Sequence, residues 1–351
     1  MVPTSTIPVF FYLRYKNAES YSYFRARGIR IDEVIASNTH KFSASTPMAS
    51  SETGCDDFLR RYDSTLILNL LPESLAVNAF SAINNEVIWS EMSLKGSTVP
   101  RLVCIHGDIS NEQMVPIYRH PADFQPHLTG WTPTTDYIRD VICKRLNLDL
   151  NHVLIQLYRS GYDCIGEHSD KTLDIKRGSS IVTFSLGAQR TLILRSKLKT
   201  PKDSSSCSSE NSTRDIWKIP LPHNSLFILG SMTNKHFVHS IKEDKRSLNL
   251  KTTDELAFDG QRISLTFRCI STFFDRTSGQ LSGQGAPKEI GDSSSSKLNV
   301  ESNVSHFDSD TEEVAEDDYC KLLTAFSAEN KLIDFDWGHY YGSGFKYVGT
   351  T

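Results

Sequence analysis

Arg262-Ile263-Ser264-Leu265-Thr266-Phe267-Arg268 alternates polar and apolar residues without a break. Strand side chains alternate between faces, so Arg262, Ser264, Thr266 and Arg268 share one face and Ile263, Leu265 and Phe267 the other. Such a strand either faces water or lines a place for an anion. The earlier run Val153-Leu154-Ile155-Gln156-Leu157-Tyr158 has the same character. Leu154, Gln156 and Tyr158 fall on one face, where Gln156 and Tyr158 could hydrogen-bond a bound acid.

Between these runs lies Gly166-Glu167-His168-Ser169-Asp170. In an extended segment His168 and Asp170 share a face and can reach one metal. A close His-x-Asp pair, a distant second His and a later Arg form the pattern of a two-His-one-carboxylate iron site. Three ligands on one side leave room for a bidentate oxo-acid and dioxygen, with an Arg for the acid's far carboxylate. The second His is His236 or His239, three apart and therefore on opposite faces of an extended chain. His239 sits in the β-like run Phe237-Val238-His239-Ser240-Ile241 and is favoured; His236 follows polar Thr233-Asn234-Lys235 and reads as a turn. His106, His120, His127, His152 and His223 lack matching partners and read as structural or surface residues.

Short β-branched runs at 153–158, 181–186, 191–195, 225–229, 237–241 and 263–268 read as strands, as does Leu66-Ile67-Leu68. Two helices precede most of them. One opens at Pro72 and carries the stripe Ala76, Phe80, Ile83 and Val87; the other spans Pro133 to Leu146, with Ile138, Val141 and Ile142 inward. Short strands behind two helices predict an α+β jelly roll or barrel with helices on one face. The expected organisation is an irregular N-terminal region over 1–57 and a principal domain over 58–275 with a Ser-rich insertion at 203–214. A Gly/Ser-rich and acidic linker is expected over 276–318. An amphipathic helix with an aromatic end follows over 319–351 and should dock on the principal domain or on a protein partner.

The chain has 351 residues, 38% hydrophobic and 23% charged, with a formal net charge of −4. Basic residues outnumber acidic ones over 95–275, and the reverse holds over 276–351. This suits a nucleic-acid partner without demanding one. No apolar stretch approaches the roughly 18 residues that span a bilayer, so no membrane role is expected. Seven scattered cysteines, none spaced as a zinc knuckle, predict reduced thiols in a nuclear or cytoplasmic protein.

Over residues 64–272 the chain resembles the AlkB-like Fe(II)/2-oxoglutarate dioxygenases, in particular their eukaryotic DNA-repair branch. The markers are Val99-Pro100-Arg101, Gly107-Asp108, Trp131-Thr132-Pro133, Ile165-Gly166-Glu167-His168-Ser169-Asp170, Ser185-Leu186-Gly187-Ala188, Thr233-Asn234 with His236 and His239-Ser240, and Arg262 through Arg268. The resemblance implies a double-stranded β-helix with Fe(II) at His168, Asp170 and His239. It implies 2-oxoglutarate at Arg262, Arg268 and Tyr158, and dioxygen as co-substrate. It further implies oxidation of an N-methyl group with loss of formaldehyde, and a nucleotide-pocket lid around Pro100 to Asp108.

Three positions depart from that pattern. Lys171 stands where the repair enzymes carry an acidic residue that reads the base, so it is expected to alter what the pocket accepts. Gln156 replaces an Asn that touches 2-oxoglutarate. The polar loop Lys242 to Gln261 is long. A basic face of Arg101, Arg190, Arg195, Lys197 and Lys199 is expected to meet DNA or RNA. Demethylation of alkylated bases is the leading expectation. The alternatives are the same oxidation of a protein side chain or small metabolite, or a non-catalytic binding module with this fold.

Overall fold

The alternation of residues 262–268 divides two environments, one packed by helices and one enclosed between two sheets. The computed structural model describes residues 53–111, 113–197, 214–288 and 309–348. The strands of the two sheets are, in chain order, β1 (Thr65–Ile67), β2 (Leu102–Gly107), β3 (Leu128–Thr129), β4 (His152–Tyr158), β5 (Ile165–His168), β6 (Ile181–Gly187), β7 (Arg190–Ser196), β8 (Ile216–Leu221), β9 (Ser225–Leu229), β10 (Phe237–Ile241) and β11 (Arg262–Arg268). The larger sheet runs β1-β9-β6-β11-β4-β2-β3 and the smaller β8-β7-β10-β5. All pairings are antiparallel except β2 with β3. The fold is α+β, a double-stranded β-helix with helices on one face.

Helices α1 (Thr53–Arg61), α2 (Glu73–Glu86) and α3 (Pro133–Leu146) precede most of the sheet. Pro72 stands at the entry of α2, and Ala76, Phe80 and Ile83 are buried from it as their spacing predicts. Thr132 and Thr135 close a capping box on α3, with Pro133 at its first turn, and Asn147 ends it in the left-handed conformation. Helices α2 and α3 pack on the outer face of the larger sheet, whereas α1 lies against β8 of the smaller sheet. Ile263, Leu265 and Phe267 of β11 join Val153, Ile155 and Leu157 of β4 against Ile83, Ile138 and Ile142. The opposite faces of β4 and β11 turn toward the smaller sheet, where Leu192, Leu194, Ile219, Leu221, Phe237 and Ile241 meet Ile181, Phe227 and Leu229. Gly187 sits opposite Arg262 at φ +93, and a Cβ there would come within 2.3 Å of the Gln261 carbonyl.

Several expectations are corrected. Residues 53–57, expected to be irregular, lie in α1, whose Phe58 packs edge-on to Phe237 beside Trp217. Residues 102–107, expected near a lid, form β2, an inner strand whose apolar run Leu102-Val103-Cys104-Ile105 is largely buried. Residues 216–221 form β8 despite Pro220, which an edge strand tolerates. The sheet region continues beyond 275, since Leu281–Gly283 pairs with Thr272–Asp275. Most of the acidic stretch read as linker lies in helix α5 (Ser309–Lys331), where acidic residues suit the N-terminal end. The stretches 1–52 and 198–213, with Lys199 and nearly all of the Ser-rich insertion, lie outside the described residues.

The long polar loop after β10 is braced internally. Arg246 pairs with Asp244 at 2.8 Å and Glu255 at 2.6 Å, and Thr252 caps the turn Thr253–Leu256. The aromatic end packs on its own chain: Phe326, Phe335, Tyr341 and Phe345, the third in helix α6 (Trp337–Tyr341), enclose Leu173. Among the described residues no helix is long and apolar enough to cross a membrane, and no disulfide links the cysteines.

Candidate functional site

Strands β4 and β11 pair in a register that sets Arg262 opposite Tyr158 and Ser264 opposite Gln156. Their inward side chains, with His168, Asp170 and His239 across the gap, line one cavity. Leu192 and Leu221 of the smaller sheet and Ile181 and Leu229 of the larger sheet close its apolar sides.

Arg262 is 1% exposed. Its Nη2 donates to Ser185 Oγ at 2.9 Å, and its guanidinium lies 5.2 Å from the centre of the Tyr158 ring. Its Nε and Nη1 have no acceptor, and neither do Arg268 Nε and Gln156 Nε2. Burial lowers the Arg262 guanidinium to about 10, as expected for a cation without a counter-ion. Four buried, unanswered donors in one cavity suit an anion with several acceptor oxygens.

His168 and His239 are cross-strand partners on β5 and β10, with ring centroids 4.4 Å apart. Two imidazoles bound at right angles to one metal, each at about 2.1 Å, would place their centroids about 4.5 Å apart. His168 Nδ1 lies 2.8 Å from the Gly166 carbonyl, which orients the ring and leaves Nε2 for a ligand. Burial keeps both rings neutral: His168 is lowered, and His239 falls to about 3 with His168 beside it. Burial alone would raise the Asp170 carboxyl, but Arg268 and the two imidazoles hold it well below the usual carboxylate range. Two neutral imidazoles and a carboxylate fit Fe(II) chemically.

The three do not form a closed cage. Among the described residues no three His, Cys, Asp or Glu side chains make a ready metal site. The Asp170 carboxylate is already engaged, for its Oδ1 accepts from Tyr118 at 2.8 Å and from Arg268 at 2.7 Å. A metal would have to be met by the other oxygen. Asn234 fixes the Asp170 backbone from both sides, accepting from its N–H at 3.0 Å and donating to its carbonyl at 2.9 Å. His236 lies in the short helix α4 (Ser231–His236), away from the cavity.

The residues expected on a nucleic-acid face are not gathered there. Arg190 is buried and donates to the Ser160, Gly161, Asp163 and Lys242 carbonyls, closing the loops around it. Arg101 is buried and donates to the Cys164 carbonyl at 2.9 Å. Lys197 is buried and donates to the Asn234 and Glu329 carbonyls. Lys171 is 2% exposed, and its Nζ donates to Ser169 O at 2.8 Å and to Asn330 Oδ1, outside the cavity lining. Arg195 alone among these reaches the surface, paired with Glu167 at 2.9 Å. Arg101, Arg190 and Lys197 serve as clamps on carbonyl groups, which their charge alone does not reveal.

Ser185 and Asn234 lie in the stretches Ser185-Leu186-Gly187-Ala188 and Thr233-Asn234, but nothing local in the sequence marks Tyr118, Glu329 or Asn330, whose partners are distant along the chain.

Residues 63–268 match the 2OG-Fe(II) oxygenase superfamily. DNA oxidative demethylase ALKBH2 of Mus musculus is 33% identical over 140 residues, covering 40% of this chain and 52% of that protein. Its Homo sapiens counterpart is 33% identical over 140 residues, covering 40% and 47%. Alpha-ketoglutarate-dependent dioxygenase alkB homolog 3 of Bos taurus is 25% identical over 199 residues, covering 56% and 62%. The chain thus spans about half the length of the first two relatives.

Proposed function

The chain belongs to the 2OG-Fe(II) oxygenase superfamily, and on that premise we propose that it is an Fe(II)- and 2-oxoglutarate-dependent oxidative demethylase of alkylated bases in nucleic acid. The observation that carries this reading is the set of unanswered donors on Arg262, Arg268 and Gln156 in the cavity that His168, Asp170 and His239 also line. A dicarboxylic oxo-acid supplies the acceptors they lack.

In this reading His168, Asp170 and His239 hold Fe(II). Arg262, aligned over Tyr158 and tied to Ser185, grips the far carboxylate of 2-oxoglutarate, for which a planar fork is suited. Gln156 and Arg268 attend the rest of the acid. The metal and the oxo-acid together supply dioxygen-driven oxidation of an N-methyl group, which leaves as formaldehyde while the acid leaves as succinate and carbon dioxide. The apolar walls keep water from the oxidising centre.

The nucleic-acid substrate rests on the named activity of the ALKBH2 relatives. A DNA substrate would also put the protein at work in the nucleus. Lys171 gives no reason against a base, since its ammonium is turned away from the cavity.

The test is to measure succinate and formaldehyde with a panel of methylated DNA and RNA oligonucleotides. The expected result is equal release of both, with at least one methylated oligonucleotide and not with its unmethylated twin. Succinate formed without oligonucleotide dependence would favour a metabolite or protein substrate. No 2-oxoglutarate turnover under any condition would overturn the proposal.

A further inference from the structure

Ser169, the residue between His168 and Asp170, is gripped from outside the matched region. Its N–H and its hydroxyl both donate to Asn330 Oδ1, at 2.9 and 3.0 Å. Lys171 Nζ donates to the same oxygen and to the Ser169 carbonyl. Next along, the Thr172 N–H and hydroxyl donate to the Glu329 carboxylate, whose other oxygen accepts from the Tyr341 hydroxyl at 2.6 Å. Lys197 ties the Glu329 carbonyl in the last turn of α5 back to the smaller sheet. Trp337 Nε1 reaches the Thr172 carbonyl at 3.3 Å.

The other side of the loop belongs to the β-helix itself. Asn234 brackets the Asp170 backbone, and the Tyr118 hydroxyl accepts from the Lys171 N–H at 3.0 Å. The loop is therefore held between two supports. One lies within the matched residues 63–268 and the other lies outside them.

Resting on the metal site proposed above, we propose that Asn330 is a positioning residue for that site. It fixes the Ser169 peptide and so the relative direction of the His168 and Asp170 side chains. Two ligands separated by one residue can rotate toward a common point only if the peptide between them is held. One amide oxygen, given two donors by Ser169 and a third by Lys171, holds it. Partners beyond the ligands themselves typically change metal affinity about 10- to 100-fold.

The experiment titrates the full-length, metal-free protein with Mn(II), read by electron paramagnetic resonance, alongside thermal unfolding without metal. Asn330→Leu, of similar size but unable to accept, should weaken Mn(II) binding about 10- to 100-fold. Asn330→Asp keeps the acceptor beside Lys171 and should stay within about threefold of the wild type, a difference under about 0.7 kcal/mol. Lys321→Ala, on the exposed side of the same helix, should change nothing. Lys171→Met removes one donor only and should give a smaller loss of affinity, which serves if Asn330→Leu does not fold.

Reduced melting temperature with unchanged Mn(II) affinity in Asn330→Leu, or in Lys171→Met should the first not fold, would overturn the positioning role and leave the metal site standing. Wild-type protein that binds no Mn(II) would overturn both. Equal losses in Asn330→Leu and Asn330→Asp would also count against it, since the acceptor would then not be the cause.

Discussion

Arg268 reaches across the cavity to Asp170 at 2.7 Å, and both side chains are nearly inaccessible to solvent. The pair divides the roles of the two arginines on β11. Arg268 is engaged with a carboxylate of the protein, while Arg262 keeps two donors unanswered.

Replacing Arg268 with Met should strand the Asp170 carboxylate. Removing one partner of a buried ion pair costs about 3–5 kcal/mol, because the remaining charge is uncompensated. Urea unfolding should register that loss, and saturating Mn(II) should recover part of it by returning positive charge to the carboxylate. Identical losses with and without Mn(II) would detach Asp170 from any metal.

Arg262→Met should behave in the opposite way. It removes a buried cation whose donors have too few acceptors, so the ligand-free protein should be as stable as the wild type or more so. The rise in melting temperature produced by 2-oxoglutarate should disappear. Arg262→Lys should retain little of it, for an ammonium cannot reproduce the two parallel bonds. A normal 2-oxoglutarate shift in both variants would remove Arg262 from the acid's site.

Lys171→Asp should not create a better base pocket. Lys171 is enclosed by Ser169 and Asn330, and burial lowers it to about 8. An aspartate there would lie unpaired near Glu329 and Asp170, costing about 3–5 kcal/mol in urea unfolding. A gain in demethylation with unchanged stability would show that the side chain faces substrate after all.

Lys197 gives a pH signature. Burial lowers its ammonium to about 7 in the folded chain, against about 10.4 when unfolded. Its contribution is therefore complete above about pH 10.4 and is lost as the pH falls through about 7. Lys197→Met should accordingly gain most relative to wild type near pH 6 and least near pH 10. A constant difference in melting temperature across that range would contradict it.

The sheet was legible because its strands follow a period of two. Ile263, Leu265 and Phe267 had to lie behind Arg262 and Arg268, and the structure packs them on Ile138 and Ile142. Helix α3 was legible to the residue from Pro133 and its inward isoleucines. β2 was not, because Leu102-Val103-Cys104-Ile105 is apolar on both faces and carries no alternation. The grouping of Arg190 and Lys197 as a basic face failed for a different reason. A charged residue announces its sign in the sequence, but not the carbonyls of Ser160, Asp163 or Glu329 that wait for it in space.

The bond from Ser169 to Asn330 spans 161 residues, and that separation has a temporal meaning. Chains are synthesised from the N-terminus at about 5–20 residues per second. Roughly 8–30 s therefore pass between the appearance of Asp170 and that of Asn330 on the ribosome. Through that interval β5 and β10 can pair while the Ser169 and Thr172 N–H groups remain hydrated. With Asn330 in the positioning role proposed above, metal capture would be tied to late events of translation, and nascent chains halted before Asn330 should retain Mn(II) less well than released ones.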